Sequence, residues 1–258
     1  MSLKYPNGKA MPENVFCALE FAGKVGFLSR HLWRDQFSSG GTRWQQRQLK
    51  KMLKARLIAS FRNSAVKDYY CLTSVGQTFL ANLNLSVVNA VNINQLQHDE
   101  MVAHSLWALT KLNLITAWRV EAELKAQQVR MYQLSREVRN KKYPDAVFKM
   151  KVFGEERTIA LEYERTMKSA GRYRDTLWLY SRMDSFSMTL FICENLAIQN
   201  ALKRRLQYMK LPELWGRVAF CKVFQWKQSP ADAPIELGDK VIVLRDLCRP
   251  KSKELVVS

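Results

Sequence analysis

Carboxylates are scarce in this chain, and scarcest where its lysines and arginines crowd together. Between Arg43 and Lys67 there are eight basic residues and no acidic one. A surface with ordinary mixed charge would intersperse both signs, so an acid-free stretch of this length reads as an electrostatic footprint. Paired cysteines are missing as well. Cys17, Cys71, Cys193, Cys221 and Cys248 are odd in number and never stand in C-x-x-C spacing. That pattern argues against a disulfide framework and against a zinc site. His31, His98 and His104 form no ligand-spaced cluster. Long apolar runs are absent too, since no stretch approaches the roughly 18 residues of a spanning helix. The first residues lack the apolar core of a signal peptide. A cytoplasmic location, with no membrane partner, is the expectation.

What is present is positive charge. The chain has 41 Lys and Arg against 23 Asp and Glu, a formal charge of +18, and a pI near 9.9. Such a balance calls for a polyanionic partner, because cations laid along nucleic acid release its counterions. An anionic membrane is the competing explanation. Residues 1–80 hold 13 of the cations and four of the acids, so a net +9 sits in under a third of the chain. With 258 residues and 47% hydrophobic content, one good core and a smaller one can be buried, which makes two domains the prior.

The first module reads as three short helices followed by a hairpin. Pro12 opens a helix with Val15, Phe16, Leu19 and Phe21 as apolar positions. A second helix is expected over 28–37, and a third from an N-cap at Thr42 to about Arg56. Residues 57–61 and 68–72 alternate as strands, and Thr73 and Gly76 lead into a further short helix. That order is the winged helix-turn-helix, whose third helix enters a major groove. Leu49, Met52 and Leu53 are expected to face the core. Arg43, Trp44, Gln45, Gln46, Arg47, Lys50, Lys51 and Lys54 are then left as DNA contacts, with Arg62 and Lys67 on the wing. Arg and Gln read base edges, whereas Lys mostly holds phosphates. The domain is expected over 1–83, followed by an Asn-rich connector over 84–96.

A second module is expected over 97–228, with a C-terminal extension over 229–258. Val102, Leu106, Leu109 and Leu112 repeat at helical spacing. A strand over 115–120 and a charged helix or loop over 121–140 follow. Then come strands over 145–152 and 158–163 around Gly154, a helix after Arg172, a buried strand over 188–193, a basic helix over 197–209 and a last strand over 217–223. The fold class is α+β, with a mixed sheet and helices on both faces. Trp107, Trp118, Trp178, Trp215 and Trp226 are expected in the core or an interface. Trp44 alone is expected to be exposed for base stacking.

Pro144-Asp145-Ala146 followed by Leu161-Glu162-Tyr163-Glu164 resembles the PD-(D/E)xK restriction-endonuclease-like fold. With Trp118-x-x-Glu121-x-x-Leu124, His98 or His104, Thr166 and Tyr180, the chain resembles more narrowly the replication-relaxation family over about residues 10–195. Members of that family, from plasmids and integrative elements, join a winged helix to such a domain. The resemblance implies double-stranded DNA as partner, with a relaxase or replication protein, and a possible homodimer. It also implies a nuclease-like site in which Asp145 and Glu162, joined by Glu121, would present oxygens to Mg²⁺. Active members of the wider fold have Lys two residues after the Glu, where this chain has Glu164. Lys168 is the candidate stand-in. An accessory DNA-binding protein with a degenerate nuclease domain is therefore expected ahead of a Mg²⁺-dependent endonuclease or nickase, with a transcriptional regulator as a further alternative. DNA binding itself requires no cofactor.

Overall fold

Residues 4–62, 68–88, 91–126 and 143–248 are described by a computed structural model of the chain. They fall into two compact units, Met1–Glu100 with Ala122–Gln127, and Met101–Glu121 with Gln128–Ser258.

In the first unit, α1 (Glu13–Val25) starts after Pro12 and ends at Gly26, whose φ of 94° lets the Gly26 N–H close onto the Ala22 carbonyl. This is a glycine C-cap. The sequence predicts a helix over 28–37, but the chain there begins as a two-residue strand, β1 (Leu28–Ser29). The Ser29 hydroxyl accepts from the Leu32 N–H and caps α2 (Arg30–Leu32), which continues as a π-helical turn over Trp33–Phe37. After Gly40-Gly41 comes α3 (Thr42–Lys54). Its N-cap is Gly41, so Thr42 is the first helical residue and not the cap. The helix ends before Arg56, whose φ is 54°.

Strands β2 (Ile58–Arg62) and β3 (Asp68–Leu72) pair antiparallel, and β1 pairs with β3, giving the order β1-β3-β2. The Thr73 hydroxyl caps α4 (Ser74–Ala81) by accepting from the Gly76 N–H. Gly76 has no substitute here, because a Cβ would stand 2.1 Å from the Leu57 carbonyl oxygen. Leu19, Phe21, Leu28, Leu32, Met52, Leu57 and Leu80 are all within 1% of full burial. Each such side chain contributes about 1.5–3 kcal/mol. The expected connector belongs in part to this unit. Val88 is buried, and its N–H donates to the Gly23 carbonyl at 2.7 Å. A 3₁₀ turn over Ile93–Gln95 then leads into α5 (Leu96–Lys111). Leu112, just beyond it, is exposed.

The second unit is built on a seven-stranded sheet. After β4 (Ala117–Val120) and α6 (Glu121–Ala126) come β5 (Ala146–Val152) and β6 (Glu155–Glu164). Residues 127–142, expected as part of a charged helix or loop, lie outside the described residues. The turn joining β5 to β6 is Phe153-Gly154, with φ of 52° and 90°. Two successive positive φ values are the mark of a type I′ hairpin, which matches the strand twist. Next are α7 (Ala170–Ser181), β7 (Met188–Cys193), α8 (Leu196–Met209), the single turn α9 (Pro212–Trp215) and β8 (Val218–Lys222). The chain continues through α10 (Val223–Gln228), β9 (Ile235–Leu237), β10 (Lys240–Ile242) and α11 (Leu244–Leu247).

The strand order is β10-β9-β8-β7-β6-β5-β4. Strands β6, β7 and β8 run parallel and the other neighbours antiparallel, so the sheet is mixed and the fold α+β. All six residues of β7 are buried. A nearly continuous apolar run, interrupted here only by Thr189, is what a central strand covered on both faces requires. β8 is not the last strand: Ile235–Leu237 of the expected extension pairs with it and carries the sheet on. No helix among the described residues is long and apolar enough to cross a membrane.

Candidate functional site

Two groups of charged residues follow from this frame, one in each unit. On α3 the inward side is Gln48, Leu49 and Met52. Tyr5 donates to Gln48 Oε1 at 3.2 Å, which satisfies that buried amide oxygen. Leu53, expected in the core, is 37% exposed. The outward side carries Arg43, Gln46, Arg47, Lys50, Lys51 and Lys54, which line one shallow depression. Their spacing of three and four residues places them in adjacent rows of the same helix face. Like charges at such spacing repel by a few tenths of a kcal/mol per pair. No carboxylate among the described residues forms an ion pair with any of the five cations.

Trp44 and Gln45 do not join that face. The Trp44 ring stacks on Trp33, with centroids 5.8 Å apart and planes at 9°. Gln45 Nε2 donates to the Gly40 carbonyl at 3.2 Å. Trp44 is half-buried and anchors the start of α3, which corrects the expectation of an exposed stacking residue. Arg62 closes β2, and Lys67 lies outside the described residues.

The acidic group lies at one end of β5 and β6. Ala146 pairs with Leu161, so the same register carried one step further sets Asp145 opposite Glu162. Each carboxylate is nevertheless held by the protein. Asp145 Oδ2 accepts from the Tyr163 N–H at 2.7 Å, and the Asp145 carbonyl accepts from the Glu121 N–H at 2.9 Å. Glu162 and Glu164, two apart on one face of β6, are each 1% exposed. The Tyr180 hydroxyl donates to Glu162 Oε1. Tyr180 is itself locked edge-on against Phe191, at 6.1 Å and 87°.

Glu164 Oε1 is met by Lys168 Nζ at 2.6 Å, while its other oxygen has no hydrogen-bond partner. Lys168 is thus turned back onto Glu164. The Tyr173 hydroxyl accepts from the Lys168 N–H at 3.1 Å. Burial raises the pKa of Tyr173 and keeps it protonated. On the opposite face of β6, the Tyr163 hydroxyl donates to Glu194. Burial first, then this bond, pushes the Tyr163 pKa well up.

Asp145, Glu162 and Glu164 each accept through one carboxylate oxygen, from a backbone N–H, a phenol and an ammonium respectively. Among the described residues, no group of three or more His, Cys, Asp or Glu is placed to hold a metal ion. No catalytic step is derived through one.

Sequence reasoning missed the partners that settle these charges. Arg174 pairs with Asp175 at 3.2 Å, and Arg172 is exposed, so neither meets Glu162 or Glu164. Tyr180 on α7 does that work for Glu162, while Tyr173, one heptad earlier, holds the Lys168 backbone. Lys203 pairs with Glu236 of β9. Burial alone would raise the Glu236 pKa, but the bonds from Lys203 and Gln199 lower it on balance. Trp178, expected in the core or an interface, is 46% exposed.

No family model matches the chain, and no curated protein or solved structure matches it either.

Proposed function

We propose that this chain is a double-stranded DNA-binding accessory protein of a plasmid or integrative mobile element, acting in replication or conjugative mobilisation. The observation that carries the DNA reading is the depression on α3, with five cations, one amide and no compensating acid among the described residues. A protein that leaves such repulsion uncompensated on one helix face has a polyanion to offset it. The element order of the first unit supports a winged helix, in which α3 holds the place of the recognition helix and β2-β3 that of the wing. The mobile-element setting rests on the family resemblance.

Helix α5, the three antiparallel strands β4, β5 and β6 with α6 inserted after β4, then α7 and the parallel strand β7 resemble the order of a PD-(D/E)xK core. That supports a nuclease-like domain, while the commitments of Glu162, Glu164 and Lys168 support its use as a scaffold and not for cleavage. A fold does not fix a function. The endonuclease reading keeps one observation in its favour, the Lys168 ammonium at the end of β6.

The test is anisotropy of a labelled duplex from the element's origin or transfer region, titrated at several salt concentrations with wild type and Arg47→Ala/Lys51→Ala. The log of the affinity should fall steeply with log salt in wild type, and with a shallower slope in the variant, by about 0.9 per phosphate contact removed. Equal slopes and affinities would take α3 out of the argument.

A further inference from the structure

Two exposed aromatic side chains on neighbouring helices of the second unit have no part in the duplex-binding surface. Trp178 on α7 is 46% exposed and Tyr208 on α8 is 77% exposed. Large aromatic rings are costly to leave in water, and each of these is held in place by an arginine. The Arg182 guanidinium lies 4.3 Å from the Trp178 ring centroid, and that of Arg205 lies 5.2 Å from the Tyr208 centroid. Such cation–π contacts orient the ring and cover one of its faces.

Both rings stand in the last turns of their helices. Helices α7 and α8 pack side by side, and α9, which follows α8, packs on α7. The charge around them is positive. Helices α7 and α8 carry Arg172, Arg174, Lys203, Arg204 and Arg205 against a single acid, Asp175. Asp175 is taken by Arg174, and Lys203 by Glu236, which leaves Arg172 and Arg204 exposed.

We propose that this α7–α8 face binds single-stranded nucleic acid, with bases stacked on Trp178 and Tyr208 and phosphates held by the surrounding arginines. Stacking on an aromatic ring beside a cationic track is how single strands are gripped without sequence readout, because every base has a π-face. A duplex offers its phosphates but not its base faces, so the rings select single strands over double ones. An acidic peptide would gain from the arginines but not from the flat rings. This surface is independent of α3, and each can fail without the other.

The experiment uses the full chain and labelled oligo(dT), oligo(U) and a duplex of matched length, read by anisotropy. Wild type should bind both single strands. Trp178→Ala and Tyr208→Ala should each weaken that binding by about tenfold, with Trp178→Phe recovering most of the loss and duplex binding unchanged. Arg47→Ala/Lys51→Ala should weaken duplex binding and spare the single strands. A preference of dT over U, or the reverse, identifies the natural strand as DNA or RNA. Wild-type affinity in the Trp178→Ala/Tyr208→Ala double variant, or no single-strand binding by wild type, overturns the proposal. Both side chains are exposed, so the variants should fold, and matching circular dichroism spectra verify that.

Discussion

The outer face of α3 and the inner face of β6 are both strongly charged, and they treat that charge in opposite ways. On α3, five cations stand in solvent with no acid of the described residues paired to them. On β6, Glu162 and Glu164 are buried, and each is answered by a donor from the segment that follows, Tyr180 or Lys168. An uncompensated charge in water costs little and attracts a ligand over a Debye length. An uncompensated charge in a protein interior costs several kcal/mol and is tolerated only with partners. Charge density by itself therefore says little about function. Whether the fold has already neutralised it says more.

This contrast is sharpened most by removing the cation from the buried pair. Lys168→Ala leaves Glu164 inside with no counter-charge and should destabilise the protein by about 3 kcal/mol in urea unfolding. Glu164→Gln added to it should recover much of the loss, and duplex affinity should stay put in both. Equal stability of Lys168→Ala and wild type would mean that Lys168 is free for other work, as the endonuclease reading requires.

On the other side of the comparison, Arg47→Ala/Lys51→Ala should leave the unfolding curve in place while duplex affinity drops at least about tenfold, since hydrogen bonds to charged groups are each worth roughly 1.5–3 kcal/mol. A smaller effect is expected at Gln46, the one uncharged side chain among the described residues that line the α3 depression. An amide pairs bidentately with adenine at about 1–3 kcal/mol of discrimination. Gln46→Ala should therefore flatten the preference at one base position by roughly fivefold to tenfold, with little change in non-specific affinity. A selection experiment with randomised duplexes measures both.

The smallest effect concerns Tyr69, which donates to the buried Glu100 at 3.1 Å. Burial, and then the neighbouring Glu100 charge, push its pKa from 10.0 up to about 12. Below pH 10 the phenol is neutral in both folded and unfolded chains, and its contribution is intact. Above that, the unfolded phenol ionises first, so stability falls as pH rises towards 12. Tyr69→Phe should lose less stability over that window, as followed by denaturant midpoints at several pH values.

How much of this could be read from the sequence depended on distance along the chain. Met188–Cys193 was legible as a buried strand because five of its six residues are apolar, four of them in a row from Leu190. The α3 stripe was legible from spacing alone. The two-residue β1 was not, since Leu28-Ser29 becomes a strand only through pairing with Tyr69 and Tyr70. Trp44 was assigned to solvent because nothing local reveals that Trp33 stacks on it. The acidic motif was found, but its chemistry was settled by Tyr180, 18 residues from Glu162 and on another element. The strand at Ile235–Leu237 was missed because it is short and contains Glu236, whose partner Lys203 is 33 residues away. Local pattern gave the elements, and non-local partners decided which charges were left to act.

The most direct test of the account is a single gel. Supercoiled plasmid is incubated with Mg²⁺ or with chelator, and with wild type, Arg47→Ala/Lys51→Ala or Asp145→Ala/Glu162→Ala. The account predicts retarded but uncut plasmid with wild type in both conditions, and loss of retardation in the α3 variant. Metal-dependent nicking by wild type that disappears in Asp145→Ala/Glu162→Ala would contradict it.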